Sequence, residues 1–179
     1  SLKQQGVLLY EFNSGKFNLS LSQLEEIEDD FPNLTETAMP IKAMKARYFY
    51  LNNLKEKAHQ YAQLGSKDNP QIYFGENLRA QFFLQEKKID SAYHYSKSAF
   101  YNLPNNMPHY NVYMNAMTAR ADREGINDAF EHVRSLAGDT AIIWVIYLRA
   151  LAQVSSLGDP FVMDKSLEAF KLYPLDKDI

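Results

Sequence analysis

The residues best suited to chemistry are four histidines, His59, His94, His109 and His132, and the acidic side chains, because the sequence contains no cysteine. Three of the histidines recur at similar places in successive apolar segments, which would hold them too far apart to share a metal ion. No His-Glu-x-x-His sequence, glycine-rich phosphate loop or Gly-x-Ser-x-Gly elbow is present. The carboxylate pairs fall on faces that we expect to be solvated. The sequence therefore predicts no catalytic residue, no metal site and no cofactor, and indicates that the protein is not an enzyme.

The densest group of charges is a run of acidic residues between Leu19 and Phe31, a segment whose apolar spacing predicts a helix. Glu25, Glu26, Glu28, Asp29 and Asp30 lie on the other faces of that helix. A solvated acidic face is the expected role of such a run. The alternative is a site for a cation or a basic peptide.

Composition limits the class of partner. Of the 179 residues, 46% are hydrophobic, which is enough for one sizeable core. The net charge of −3 gives no indication of the basic face that nucleic-acid binding requires. The longest apolar run, Ala141 to Leu148, ends at Arg149 and is too short to span a bilayer, so we expect no membrane insertion by this segment. No secretory signal is visible, and the sequence reads as a soluble piece from the cytoplasmic or periplasmic side of a bacterial cell.

The elements that must position any site are clearest between Asn69 and Pro108. An apolar-periodic run from Ile72 to Leu84 is followed by a charged break, and a second run from Ile89 to Leu103 stops at Pro104. Small residues stand at three places, Ala80, Ala92 and Ala99. This pattern predicts two antiparallel helices that cross closely at the small residues, with proline ending the second helix.

The same pattern recurs 34 residues earlier. The matching positions are Ala46, Phe49, Ala58, Gly65 and Pro70 against Ala80, Phe83, Ala92, Ala99 and Pro104. A helix-turn-helix period of 34 with small residues and a closing proline resembles the tetratricopeptide repeat (TPR) family. The sequence departs from the family pattern at Glu76, where a large apolar residue is usual.

The resemblance covers most of the sequence and implies an all-α fold, a right-handed superhelix of about five antiparallel helix pairs. It implies one repeat domain, 1–179, with repeats at about 1–34, 35–72, 73–107, 108–141 and 142–176. The remaining predicted helices are 1–12, 19–31, 38–51, 55–64, 109–122, 127–137, 141–154 and 161–173. Between Ala92 and Ala129 the step is 37 residues, which predicts three extra residues there, and Gly65 is expected both to allow a close crossing and to loosen a helix end.

In the TPR family the first helix of each pair lines a concave groove, and this resemblance assigns twelve residues to a groove that binds a protein or peptide segment. They are Ala43, Arg47, Tyr50, Leu51, Phe74, Asn77, Gln81, Gln85, Asn111, Met114, Thr118 and Asp122. The amide side chains among them suit an extended peptide or a helix whose backbone groups need partners. At the places where related repeats clamp a terminal carboxylate, this sequence has Ala43, Leu78 and Asn111, which argues against a chaperone-tail adaptor.

Two function hypotheses remain open, and a third, an enzyme, would need a compact polar pocket of which the sequence gives no sign. The first is a protein-interaction scaffold without catalysis of its own. The second rests on Ala58 to Pro108, which resembles the repeat tails of bacterial O-antigen ligase or polymerase-like membrane proteins, and implies a soluble accessory domain in surface-polysaccharide assembly.

The C-terminal end raises a separate question. The segment 141–154 is apolar nearly all round, which predicts burial on two sides. Asp164, Lys165, Glu168 and Lys171 could give the last helix the polar outer face that a solenoid needs. If they do not, this end is expected to be a docking face or a site of self-association.

Overall fold

The computed structural model describes residues 2–177, which form ten α-helices joined by short connections. The helices are α1 (Leu2–Ser14), α2 (Leu21–Glu26), α3 (Ile41–Leu51), α4 (Lys55–Asp68), α5 (Phe74–Gln85), α6 (Ile89–Asn102), α7 (Met107–Ala119), α8 (Arg123–Ala137), α9 (Ala141–Val154) and α10 (Pro160–Leu172). A short 3-10 helix, Pro70–Ile72, precedes α5. Helix, including the 3-10 helix, makes up 73% of residues 2–177, and no strand occurs within them. The predicted all-α fold class is therefore confirmed.

The 34-residue period is visible in the backbone of the turns. Asn53, Lys87 and Ala121 each have a positive φ, between 54° and 60°, and each lies between the two helices of a pair. From 53 to 87 and from 87 to 121 is 34 residues in both cases. A left-handed residue at the same place in three pairs reverses the direction of the backbone by the same local geometry each time.

Helix starts show where the period breaks. The second helices α4, α6 and α8 begin at Lys55, Ile89 and Arg123, which are again 34 residues apart, whereas α10 begins at Pro160, 37 residues after α8. The three extra residues therefore lie between α9 and α10. Our expectation that they precede α8 is wrong, because Ala92 corresponds to the buried Ile126 rather than to Ala129.

The protein divides into two compact units, Ser1–Phe82 and Phe83–Ile179. In the first unit, most of α3 is buried against α1, α2 and α4. Gly65 lies inside α4, and a Cβ placed on it would be 2.8 Å from the backbone nitrogen of Ala43. Glycine therefore permits the close crossing of α3 and α4, as expected. The predicted end of this helix at Leu64 is wrong, since α4 continues without interruption to Asp68.

The predicted helix 19–31 is much shorter in the structure. Only Leu21–Glu26 is helical. After that, the carbonyl oxygens of Ile27 and Asp29 accept hydrogen bonds from the ammonium groups of Lys45 and Lys42 on α3. These two carbonyl oxygens accept from lysine side chains and not from the backbone amides four residues later, as a helix would require. Helix α2 therefore ends at Glu26.

The second unit has its core around α9. Phe130 of α8 stacks on Tyr147 with ring centres 3.8 Å apart, and Trp144 packs edge to face against Phe130 at 4.6 Å. The helix contacts α7, α8 and α10, which is the burial on more than one side that its composition predicts. In contrast, Ala169 is the one residue of α10 that is fully buried.

Candidate protein-binding surface

The twelve residues assigned to a groove fall on α3, α5 and α7, with Asp122 in the turn after α7. The structure separates them by exposure. Ala43, Tyr50, Asn77 and Met114 are buried, Leu51 and Gln85 are exposed, and Arg47, Phe74, Gln81, Asn111, Thr118 and Asp122 are intermediate. Helix periodicity locates the first helices, but the rotation of each helix decides which of its residues a partner could reach.

Two of the buried residues on α3 have packing roles. The ring of Tyr50 stacks on Phe82 of α5 with centres 4.1 Å apart, and its hydroxyl donates to the Phe82 carbonyl oxygen at 3.1 Å. Ala43 lies under the Gly65 crossing. These contacts hold α3 beside α5 and α4 in the first unit.

Arg47 is the basic residue of this surface. Its guanidinium carbon lies 5.9 Å from the ring centre of Phe17, and Phe17 meets Tyr48 edge to face at 5.1 Å. Burial lowers the pKa of Arg47. Its Nη1 atom is buried and donates no hydrogen bond to any residue in 2–177. An unsatisfied buried donor is unfavourable by about 1–3 kcal/mol, so a ligand carbonyl or carboxylate there would be stabilised.

The neighbouring helix α5 supplies unsatisfied acceptors. Oε2 of Glu76 and Oδ1 of Asn77 are buried and accept no hydrogen bond from the described residues. Gln81 lies one helical turn beyond Asn77 and is half-buried, and Phe74 packs one turn before it against Phe12, with ring centres 5.5 Å apart. Donor and acceptor atoms on adjacent helices match the two polar groups of a peptide unit, one N–H and one C=O.

On α7 and in the turn after it, several assigned residues already have structural partners. Thr118 donates to the Met114 carbonyl oxygen at 2.8 Å, and Asp122 accepts from the Gly125 amide at 2.8 Å as the N-cap of α8. Met114 belongs to the core of the second unit. Asn111 is partly exposed and makes no side-chain hydrogen bond within residues 2–177, so among the assigned residues of α7 it is the one best placed to meet a ligand.

Two residues of this surface were not among the assigned ones. Phe17 lies in an irregular segment with a positive φ of 42°, where no periodicity indicates a face. In the sequence, Glu76 differs from its neighbours only as a departure from the TPR pattern. This departure is the sequence feature that could have identified Glu76 as part of the surface. A charged residue at a position that is usually apolar must either be solvated or have buried polar atoms.

The acidic run is not a uniformly solvated face. Asp29 is mostly buried, with Oδ2 2.6 Å from the Lys45 ammonium, and Lys42 lies 3.0 Å from Asp30 and 3.6 Å from Asp68. An open cavity of about 400 Å³ lies beside this network and includes Glu25 in its lining. The lysines neutralise the acids nearest the core, so the expectation of a fully solvated acidic face is wrong for Asp29.

The histidines are dispersed among aromatic rings. His59 lies 5.6 Å from Phe82 and His132 lies 5.1 Å from Tyr101, measured between ring centres. Burial lowers the pKa of His109 to about 4, against a hydrogen bond with the Ala99 backbone that raises it. No group of three or more acidic or histidine side chains in the described part of the protein is placed to hold a metal ion.

None of the helices in residues 2–177 combines the length and the apolar character that crossing a membrane requires.

Comparison with known proteins supports the fold and goes no further. No family model matches this sequence, and no curated protein matches it. A solved structure of MamA from AMB-1, a TPR-like protein, superposes with a TM-score of 0.61 at 13% sequence identity, covering 97% of this chain and 92% of MamA. At this identity the likeness concerns the fold alone. The protein therefore has an all-α, TPR-like helical-repeat fold.

Proposed function

We propose that this protein is an interaction scaffold that binds a peptide segment of another protein on the surface formed by α3 and α5. The observation that supports this most directly is the set of unsatisfied polar atoms there. Arg47 offers a buried donor, and Glu76 and Asn77 offer buried acceptors, on helices that the Tyr50–Phe82 stack holds side by side. A TPR-like fold typically binds proteins.

The chemistry of the surface describes the segment it would take. Once the side chains turn to bring these buried atoms within reach, a backbone carbonyl oxygen or an acidic side chain would accept from Arg47, and a backbone amide would donate to Asn77 or Glu76. Gln81, one turn along α5, can do both, which suits an extended backbone. Phe74 and Phe17 lie beside these polar groups and provide apolar area for a side chain of the segment.

The test is selection of binding peptides from a displayed random library with the whole protein as bait, followed by measurement of dissociation constants. We expect selected peptides to be enriched in acidic residues. Gln81→Ala should weaken binding about 2- to 10-fold, the effect of one neutral hydrogen bond, and Arg47→Gln about 10-fold or more. Gln63→Ala is the matched control, because Gln63 is exposed on α4, outside this surface.

Helicity and melting temperature of each variant should be measured in parallel, so that a loss of binding is not a loss of folding. The proposal would be refuted if no peptide is enriched, or if the enriched peptides bind Gln81→Ala and Arg47→Gln as tightly as the parent protein.

A further inference from the structure

Helix α10 carries a stripe of exposed apolar side chains on the side away from its buried contact. Met163, Leu167 and Phe170 are spaced by four and three residues and are 62%, 56% and 57% exposed. Ala169, which is fully buried, faces the core. Apolar residues at alternating spacings of four and three have the spacing of the seam in a two-helix coiled coil.

The charges beside this stripe are complementary to those on an inverted second copy of the helix. Asp164 and Lys171 are exposed, lie seven residues apart on the same side of the stripe, and form no ion pair with any residue in 2–177. The charged pair between them, Lys165 and Glu168, is satisfied within the helix at 2.8 Å. An acid near one end of the stripe and a base near the other is the arrangement that pairs with an inverted copy of itself.

We propose that two copies of this protein associate through α10, with the two helices packed antiparallel about a two-fold axis near Leu167. In coiled-coil terms Met163, Leu167 and Phe170 occupy d, a and d positions, and Asp164 and Lys171 both occupy e. Antiparallel helices bring e positions face to face, so Asp164 of each copy meets Lys171 of the other. An isologous contact of this kind closes as a dimer and does not propagate.

The size of the stripe sets the expected strength. Stable, specific interfaces bury roughly 1,200–2,000 Å² in total, and smaller ones are transient. The contact from Met163 to Lys171, about two and a half turns of one helix from each copy, falls at or below the lower limit. We therefore expect a reversible dimer with a dissociation constant on the order of 10 µM, visible as a concentration-dependent sedimentation coefficient.

Sedimentation velocity across about 1–300 µM tests the dimer and its interface. The parent protein should shift from monomer to dimer over this range, and Leu167→Glu should remain monomeric, its dissociation constant raised at least 10-fold. Leu136→Glu is the matched control: Leu136 is 54% exposed on α8, almost the same as Leu167, and is outside the stripe. Phe170→Glu provides a second disruption if Leu167→Glu loses helicity. A monomer at every concentration, or a dimer that survives both stripe variants, overturns the proposal.

Charge exchange tests the antiparallel register. Asp164→Lys and Lys171→Asp should each weaken the dimer several-fold, and the double variant should restore it, because the exchanged charges again meet as opposites. A protein without native cysteine also allows an unambiguous cross-link. Leu167→Cys should form a disulfide dimer under mild oxidation and Leu136→Cys should not. Failure of the double variant to recover the dimer, or equal cross-linking at the two positions, overturns the proposed geometry.

Discussion

Replacing Gly65 by alanine should destabilise the first unit, although alanine is the better helix former. Gly65 is inside α4, and at an open helical position the change would stabilise the protein by about 1 kcal/mol. Here the added Cβ would lie 2.8 Å from the backbone nitrogen of Ala43 and 3.0 Å from its Cα. Backbone atoms cannot rotate away, so α3 and α4 would have to separate.

Forced separation of packed elements typically raises the free energy by about 1–3 kcal/mol, and more when backbone is involved. After subtraction of the propensity gain, we expect Gly65→Ala to lower the free energy of unfolding by about 1–2 kcal/mol. The matched control is Gly6→Ala on α1, where an added Cβ meets nothing within 4 Å. That change should raise the unfolding free energy by about 1 kcal/mol.

Urea unfolding followed by far-ultraviolet circular dichroism measures both variants, with the denaturant slope compared to verify that the unfolded states are alike. Ala43→Gly in the Gly65→Ala background should recover part of the loss, because it removes the opposing Cβ but leaves the backbone contact. Opposite signs for the two alanine variants are the expected result. Stabilisation of Gly65→Ala equal to that of Gly6→Ala would refute the close approach of α3 and α4.

Two further predictions concern buried ionisable side chains, Lys45 and His109. Lys45→Met should lower the unfolding free energy by about 3 kcal/mol, because it leaves Asp29 without its nearest cation. Asp90→Asn, at the exposed Arg120–Asp90 pair, should change it by less than about 1 kcal/mol. Equal effects of the two variants in chemical denaturation would contradict the burial of the Lys45–Asp29 pair. Because the folded pKa of His109 is about 4, below the unfolded value of about 6.5, the unfolded protein binds the proton first, and stability should fall by about 3 kcal/mol from pH 6.5 to 4. His109→Gln should remove that component and His94→Gln should not, which denaturation across this pH range would show.

Periodicity was sufficient to predict the helix pairs of the central part of the sequence. A run of apolar residues every three or four positions identifies a helix, and the break at Gln85 to Lys88 marks the turn that Lys87 makes with positive φ. What periodicity could not predict is the early end of α2, because that depends on Lys42 and Lys45 reaching across from another helix. Tertiary hydrogen bonds of that kind leave no local signal.

The sequence predicts which helices carry the candidate surface, but it does not predict which of their side chains are exposed. Arg47 and Gln81 are partly exposed, whereas Tyr50 and Met114, from first helices of the same kind, are core residues. A rotation of a helix by one residue, about 100°, exchanges an inner face for a packed one. The family resemblance implies which helices line a surface, while the rotation of each helix depends on contacts such as the Tyr50–Phe82 stack, which only the folded protein shows.

The repeated left-handed residue at Asn53, Lys87 and Ala121 bears on how such a protein can change its length. A gene duplication that copies the 34 codons from one of these turns up to the next would rejoin the polypeptide at an identical local conformation. The new junction would need no unusual residue and would leave both flanking hairpins intact. Growth or shortening by whole hairpins is thus compatible with the backbone at these three points. An insertion of any other length would have to be accommodated in another connection, as the three additional residues between α9 and α10 are.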